Sequence, residues 1–139
     1  GNDAHGSITA FYTVLAEDED GSDPVAEEAR SILDGHIVLS RKLGQAGHYP
    51  AIDVLASASR VFNRVTTRAH QDAALRTRAL MAKHEEIRFL LQVGEYAAGS
   101  DELADAAIAA QPAIEALLRQ RPDEASGMDD TLDQLQQWN

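Results

Sequence analysis

The 139-residue sequence predicts an α/β front third followed by an all-α back half. Three observations carry this fold class. Up to residue 60, β-rich words alternate with short helical ones, a pattern that predicts parallel strands. From residue 61 onward no β-rich segment occurs. Two stretches, 65–93 and 101–120, instead repeat apolar residues at helical spacing.

The elements follow in chain order. "SITAFYTVLA", residues 7–16, is rich in Thr, Ile, Phe, Tyr and Val with little alternation, which predicts a strand buried on both faces. The acids, Gly and Pro of "EDEDGSDP", residues 17–24, predict a solvated loop. "VAEEARSILDG", residues 25–35, reads as a helix with Pro24 at its start, Glu27 and Glu28 in its first turn and Gly35 at its end. "HIVLS", residues 36–40, is a second strand. "RKLGQAGH" is a brief helix or turn interrupted by Gly44 and Gly47. "YPAIDVL" is a short extended piece, which Pro50 confines to a sheet edge or a strand start.

In 65–93, Ala73, Leu80, Ile87 and Leu91 form one stripe, and Gly94 is placed to end the helix. Ser100 is a suitable N-cap for the next one. Leu103, Ala107, Ala110, Ile114 and Leu117 share a face there, and Pro112 is expected to kink or split the helix. "RPDEASG" reads as a linker, and "MDDTLDQLQQW" as a last amphipathic helix carrying Met128, Leu132, Leu135 and Trp138. The expected domains are 1–64 and 65–139.

The charge is −11 and unevenly spread: −6 over residues 1–60, +2 over 61–100 and −7 over 101–139. A nucleic-acid binder needs a basic face, and only the middle segment leans that way, so nucleic acid is not an expected partner. The absence of cysteine removes disulfides, thiolate metal sites and cysteine nucleophiles, and fits a reducing cytoplasm. There is no signal-peptide pattern and no apolar run of spanning length. The opening Gly1-Asn2-Asp3 reads as the start of a processed or cut chain. Five histidines occur without an i, i+4 pair or a His-Glu-x-x-His pattern, so no metal site is expected. Asp34 and Asp53, flanked by apolar residues, suit capping or pairing with an arginine better than acid–base chemistry. A Gly-x-Ser-x-Gly elbow and a Gly-x-x-x-x-Gly-Lys-[Ser/Thr] loop are both missing.

Long words of the chain carry a resemblance. "GSITAFYTVL", "DPV", "SILDGHIVLSRKL", "HYPAIDVLASASR" and "GEYAAGSDELADAAI" occur in the order found in type III secretion and flagellar export ATPases, a family similar to the catalytic subunit of rotary ATP synthases. The resemblance weakens after about residue 120. It implies that residues 1–64 are the carboxyl part of a RecA-like P-loop ATPase core, its last parallel strands, and 65–139 a C-terminal helical bundle. In that family the phosphate loop, the magnesium-holding acid and the catalytic carboxylate lie upstream of "GSIT". The resemblance therefore implies ATP and Mg2+ as cofactors of a full-length protein, with none expected on this segment alone.

It also implies site residues. In the resembled enzymes the arginine of the "S-x-S-R" loop is a finger that reaches the γ-phosphate of a neighbouring subunit. Arg60 stands at that position. Phosphoryl transfer spreads negative charge over oxygens, which a planar cation with forked donors stabilises. The alternative is a structural arginine paired with an acid. Tyr49, in "YPA", matches an aromatic that packs on adenine, the alternative being a packed core tyrosine. Tyr96, in "GEY", is the further expectation for that pocket, from the helical domain. Arg41 matches a family arginine of structural use.

The implied function is ATP hydrolysis by a cytoplasmic homo-hexamer, peripheral to the inner membrane and not inserted. It would power chaperone release and the unfolding and export of secreted proteins. The implied partners are export chaperone–substrate complexes and the central stalk and stator proteins. The alternative is a non-catalytic helical docking module for those same partners.

Overall fold

A computed structural model of the chain describes residues 3–16 and 23–138. The acidic loop expected at 17–24 falls largely outside them. The chain divides into two compact units, residues 1–33 and 34–139.

In the first unit the only helix among the described residues is α1, Pro24–Ile32. Asp23 caps it by accepting from the Val25 and Ala26 N–H groups, and Pro24 occupies the first position, where a missing donor costs nothing. The strand expected at 7–16 is not formed over 8–16, and Phe11 and Leu15 are 89% and 91% exposed there. A strand buried on both faces needs neighbours in a sheet. The one sheet among the described residues, β1–β2, lies in the other unit.

The second unit opens with β1, Gly35–Leu39, then α2, Arg41–Gln45, and β2, Ile52–Ser59. The two strands are antiparallel, correcting the parallel pairing that strand–helix alternation predicts. The connection explains why. A five-residue helix rises about 7.5 Å, far short of the roughly 26 Å of an eight-residue strand, so α2 cannot carry the chain back for a parallel start. Instead the Ser40 N–H donates to the Ala51 carbonyl at 2.8 Å and extends the ladder into the turn. The Tyr49–Pro50 peptide bond in that turn is cis. Gly35 does not end α1. Helix α1 stops at Ile32, because Leu33 is already extended, and Gly35 begins β1.

Four helices follow: α3, Phe62–Val65; α4, Arg68–Val93; α5, Glu102–Leu118; and α6, Met128–Leu135. Thr67 caps α4, and Gly94 ends it at φ 73°, a left-handed turn that glycine takes without a Cβ penalty. Asp101, rather than Ser100, caps α5, accepting from Leu103 and Ala104 N–H. A carboxylate there also meets the positive end of the helix. Helix α5 runs unbroken through Pro112 instead of splitting. Proline removes one hydrogen bond from the ladder, but Ala107 before it and Ile114 after it are both anchored in the core.

That core is Leu80, Ala107 and Ile114, with Met81, Leu103, Ala106, Ala110, Leu118 and Trp138 packed around it. Small alanines on α5 bring it close to α4, and Ala73, Ala104 and Ala107 are fully buried. The expected stripe of α4 is buried at Ala73, Leu80 and Ile87, with Thr77 among them. Thr77 is satisfied twice: its hydroxyl donates to the Ala73 carbonyl and accepts from the Trp138 indole N–H. Met128, expected on the apolar face of α6, is 70% exposed.

Leu80 is 1% exposed at the centre of this contact. Leu80→Ala is expected to destabilise the chain by about 2–5 kcal/mol in chemical denaturation, from lost burial plus the residual cavity. A loss under about 0.5 kcal/mol, the range of surface substitutions, would place the core elsewhere.

Candidate functional site

Arg60 follows β2 directly and is exposed. Its own N–H donates to the Asp34 carbonyl at 2.7 Å, fixing the main chain where the strand ends. Opposite, Gly35 pairs with Ser59 and His36 with Ala58. A Cβ on Gly35 would lie 2.8 Å from the Ala58 carbonyl oxygen, so only glycine allows this approach.

The strand is irregular just before that point. The register shifts between His36 and Val38. Ser57 fills the gap: its hydroxyl accepts from the Val38 N–H at 3.0 Å and donates to the Asp53 carbonyl at 2.6 Å. The Asp53 carboxylate accepts from the Ala56 N–H at 2.9 Å, a contact within the strand rather than a helix cap or an arginine pair. A His36 ring nitrogen lies 3.1 Å from the Ala56 carbonyl. Residues 54–57 are thus a bulge in which the Ser57 hydroxyl replaces a main-chain partner, and Ala58 and Ser59 return to register.

Sequence reasoning missed the group that spans this bulge. Arg78, on α4, donates through one guanidinium nitrogen to the Val54 carbonyl and, at 3.4 Å, to that of Ser57. Its other terminal nitrogen donates to the Leu55 carbonyl at 3.0 Å. An arginine 18 residues beyond Arg60, on a helix rich in arginine, gives no local sign of this. Its position between buried Thr77 and Leu80 is the only hint that it faces inward.

Tyr49 is 59% exposed. With Leu39, Ser40, Arg41, Gly44, Gln45 and Ala51 it lines an open depression of about 440 Å³. Its carbonyl accepts from the Gln120 N–H at 2.9 Å, tying the turn to the segment after α5. Tyr96 lines neither that depression nor the one formed by Gly47, Tyr49 and residues after α5. Its hydroxyl instead donates to Asp105 Oδ1 at 2.8 Å, while Asp105 Oδ2 accepts from the Gly99 N–H. Partial burial, then the hydrogen bond to Asp105, raises the Tyr96 pKa.

Lys83 joins α4 to the start of α5. Its ammonium lies 2.9 Å from Asp101 and 3.0 Å from Glu86. The hydrogen bond from Lys83, followed by that from the Ala104 N–H, holds the Asp101 carboxyl below the usual carboxylate range. The hydrogen bonds to Asp101 and Glu86 raise the Lys83 pKa in turn.

Among the described residues no group of three or more His, Asp or Glu side chains could hold a metal ion. No helix among the described residues is long and apolar enough to cross a membrane.

Comparison with known proteins covers both halves of the chain. Residues 66–137 match the T3SS EscN ATPase C-terminal domain, and residues 1–59 the nucleotide-binding domain of the ATP synthase alpha/beta family. A type 3 secretion system ATPase of Pseudomonas syringae pv. syringae is 53% identical over 137 residues, covering 99% of this chain and 30% of the relative. Among solved structures, the assembled ATPase EscN of the enteropathogenic E. coli type III secretion system superimposes with a TM-score of 0.92 at 43% identity, over 96% of this chain and 32% of that one. EscN in complex with its central stalk EscO superimposes at 0.89 and 40% identity, over 99% and 32%. The chain thus spans about 30% of the length of the curated relatives it matches.

The Lys83–Asp101 contact sets a pH dependence. Asp101 has a lowered folded-state pKa, so its stabilisation is present above the ordinary carboxylate value of about 3.9 and is lost as pH falls through the lowered one. Lys83, raised, loses its share only as pH rises through its own folded value. Asp101→Asn keeps an N-cap but removes the charge. Its melting midpoint is expected to lie below that of the parent at neutral pH, the gap closing as the pH falls from the ordinary carboxylate value through the lowered one. A gap that persists unchanged in acid would assign the stabilisation to capping alone.

Proposed function

Because the chain belongs to the type III secretion ATPase C-terminal domain family, we propose that it is the carboxyl part of an ATPase that powers protein export as a homo-hexamer. Residues 1–64 complete the nucleotide-binding core, and 65–139 form its helical domain. The relatives named above are secretion ATPases, which supports ATP as the substrate of the whole protein. ATP and its magnesium ion are held by parts of that protein that carry the phosphate loop, since this chain contains no Gly-x-x-x-x-Gly-Lys-[Ser/Thr].

This chain contributes Arg60. The observation that carries the reading is an exposed arginine at the end of a strand whose last residues are held by hydrogen bonds to the Asp34 and Val38 main chain. A side chain carried by a main chain held so can reach the phosphates of a neighbouring subunit's ATP. There it stabilises the charge that develops on the transferred phosphoryl oxygens, and hydrolysis comes to depend on ring assembly. Exposed Tyr49 offers a flat surface to the adenine ring. Tyr96, whose hydroxyl donates to Asp105 on α5, is the further residue we assign to the base site, from the helical domain.

In the whole protein the ring acts at the cytoplasmic face of the inner membrane without inserting. ATP turnover there drives chaperone release and the unfolding of exported proteins, with chaperone–substrate complexes, a central stalk and stator proteins as partners. A second reading, a docking module without catalysis, is favoured by the exposed Leu75, Phe89 and Val93 on α4, and by a structural neighbour solved with its central stalk.

In the full-length ATPase, Arg60→Ala is expected to lower turnover by about 10³-fold or more while nucleotide affinity stays close to that of the parent. An Arg60→Ala ring that hydrolyses ATP at the parent rate would remove the finger and leave the docking reading.

A further inference from the structure

We propose that Arg78 is the positioning residue for Arg60: from α4 it fixes the strand end that delivers the finger. The proposal rests on the finger reading of Arg60 given above. Arg78 touches no reacting atom and acts only through β2.

The geometry is specific. A guanidinium carries five N–H donors in a rigid plane, and here two nitrogens serve three main-chain carbonyls, those of Val54, Leu55 and Ser57. These carbonyls flank the place where the register slips and Ser57 turns its hydroxyl into the ladder. An antiparallel strand at a bulge bends, and the direction of the chain beyond it depends on what satisfies the displaced main chain. Here that chain is Ala58, Ser59 and Arg60. Among the described residues the guanidinium bonds to carbonyls and to no carboxylate, so its charge serves the strand rather than an ion pair.

Two further contacts give the same segment little freedom. Gly35 lets Ala58 approach to a distance no Cβ would permit, and the Arg60 N–H is held by Asp34. With both ends fixed, the remaining variable is the path between Val54 and Ser57, which Arg78 spans. A finger displaced by about 1 Å loses on the order of 10²-fold in rate, so a contact remote from the phosphate can still govern turnover. Lysine cannot substitute fully, because a single ammonium lacks the planar fork that meets three carbonyls at once.

The test is a double-mutant cycle in the full-length ATPase, read by single-turnover ATP hydrolysis and by nucleotide affinity. Arg78→Gln is expected to lower the hydrolysis rate by about 10- to 100-fold with nucleotide affinity unchanged within about twofold. Arg78→Lys is expected to fall between the two. In an Arg60→Ala background, Arg78→Gln is expected to change the rate by less than about twofold, since no finger remains to be misplaced. If Arg78→Gln rings do not assemble, the same cycle is run with Arg78→Lys. If Arg60→Ala impairs the enzyme, an Arg78 variant that keeps the parent rate with Arg60 present, or that loses the same factor with and without Arg60, would overturn the positioning role alone. An Arg60→Ala enzyme at the parent rate would overturn the finger, and the positioning role with it.

Discussion

Less than two turns of α4, from Thr77 to Lys83, grip three other parts of the second unit. Leu80 packs between Ala107 and Ile114 of α5, Thr77 receives the indole of Trp138, Arg78 reaches β2 and Lys83 holds the cap of α5. Neighbouring residues on a helix point about 100° apart, so 77, 78 and 80 address different partners from one rigid segment. The apolar contact supplies most of the stabilisation, since exposed ion pairs contribute little. The polar contacts set direction. Moving this segment would shift the bulge, the α4–α5 loop and the chain end together.

Much of this was legible in the sequence, for reasons that also explain the failures. The stripe Ala73, Leu80 and Ile87 and the stop at Gly94 were readable, because helical spacing and a left-handed glycine are local signals. The strand at 36–40 emerged within one residue of β1. What failed depended on partners distant in sequence. Residues 8–16 have strand composition, yet no strand forms over them among the described residues. The antiparallel pairing was set by a helix too short to carry a crossover, which composition does not reveal. Gly35 was assigned to a helix end, when its missing Cβ serves an approach to Ala58.

The site divides in the same way. Arg60 and Tyr49 were found through long matching words, and both are exposed. Tyr96 came from the same kind of word, and its hydroxyl is used within the α4–α5 loop. Arg78 was invisible because its partners are carbonyls, and any residue provides a carbonyl. Main-chain recognition leaves no trace in side-chain chemistry, so its discovery needs coordinates.

Trp138 is the single tryptophan of the sequence, and its ring lies against the Leu80 cluster with the indole N–H on Thr77, 61 residues away. The chain therefore carries its own optical reporter. When the chain is excited at wavelengths that spare its three tyrosines, its ultraviolet emission has one source, placed where the segment after α6 meets α4. A change in that emission reads the seating of the chain end on the bundle, separately from any event at the Arg60 loop. Release of this last segment can be followed by light alone, without an attached dye.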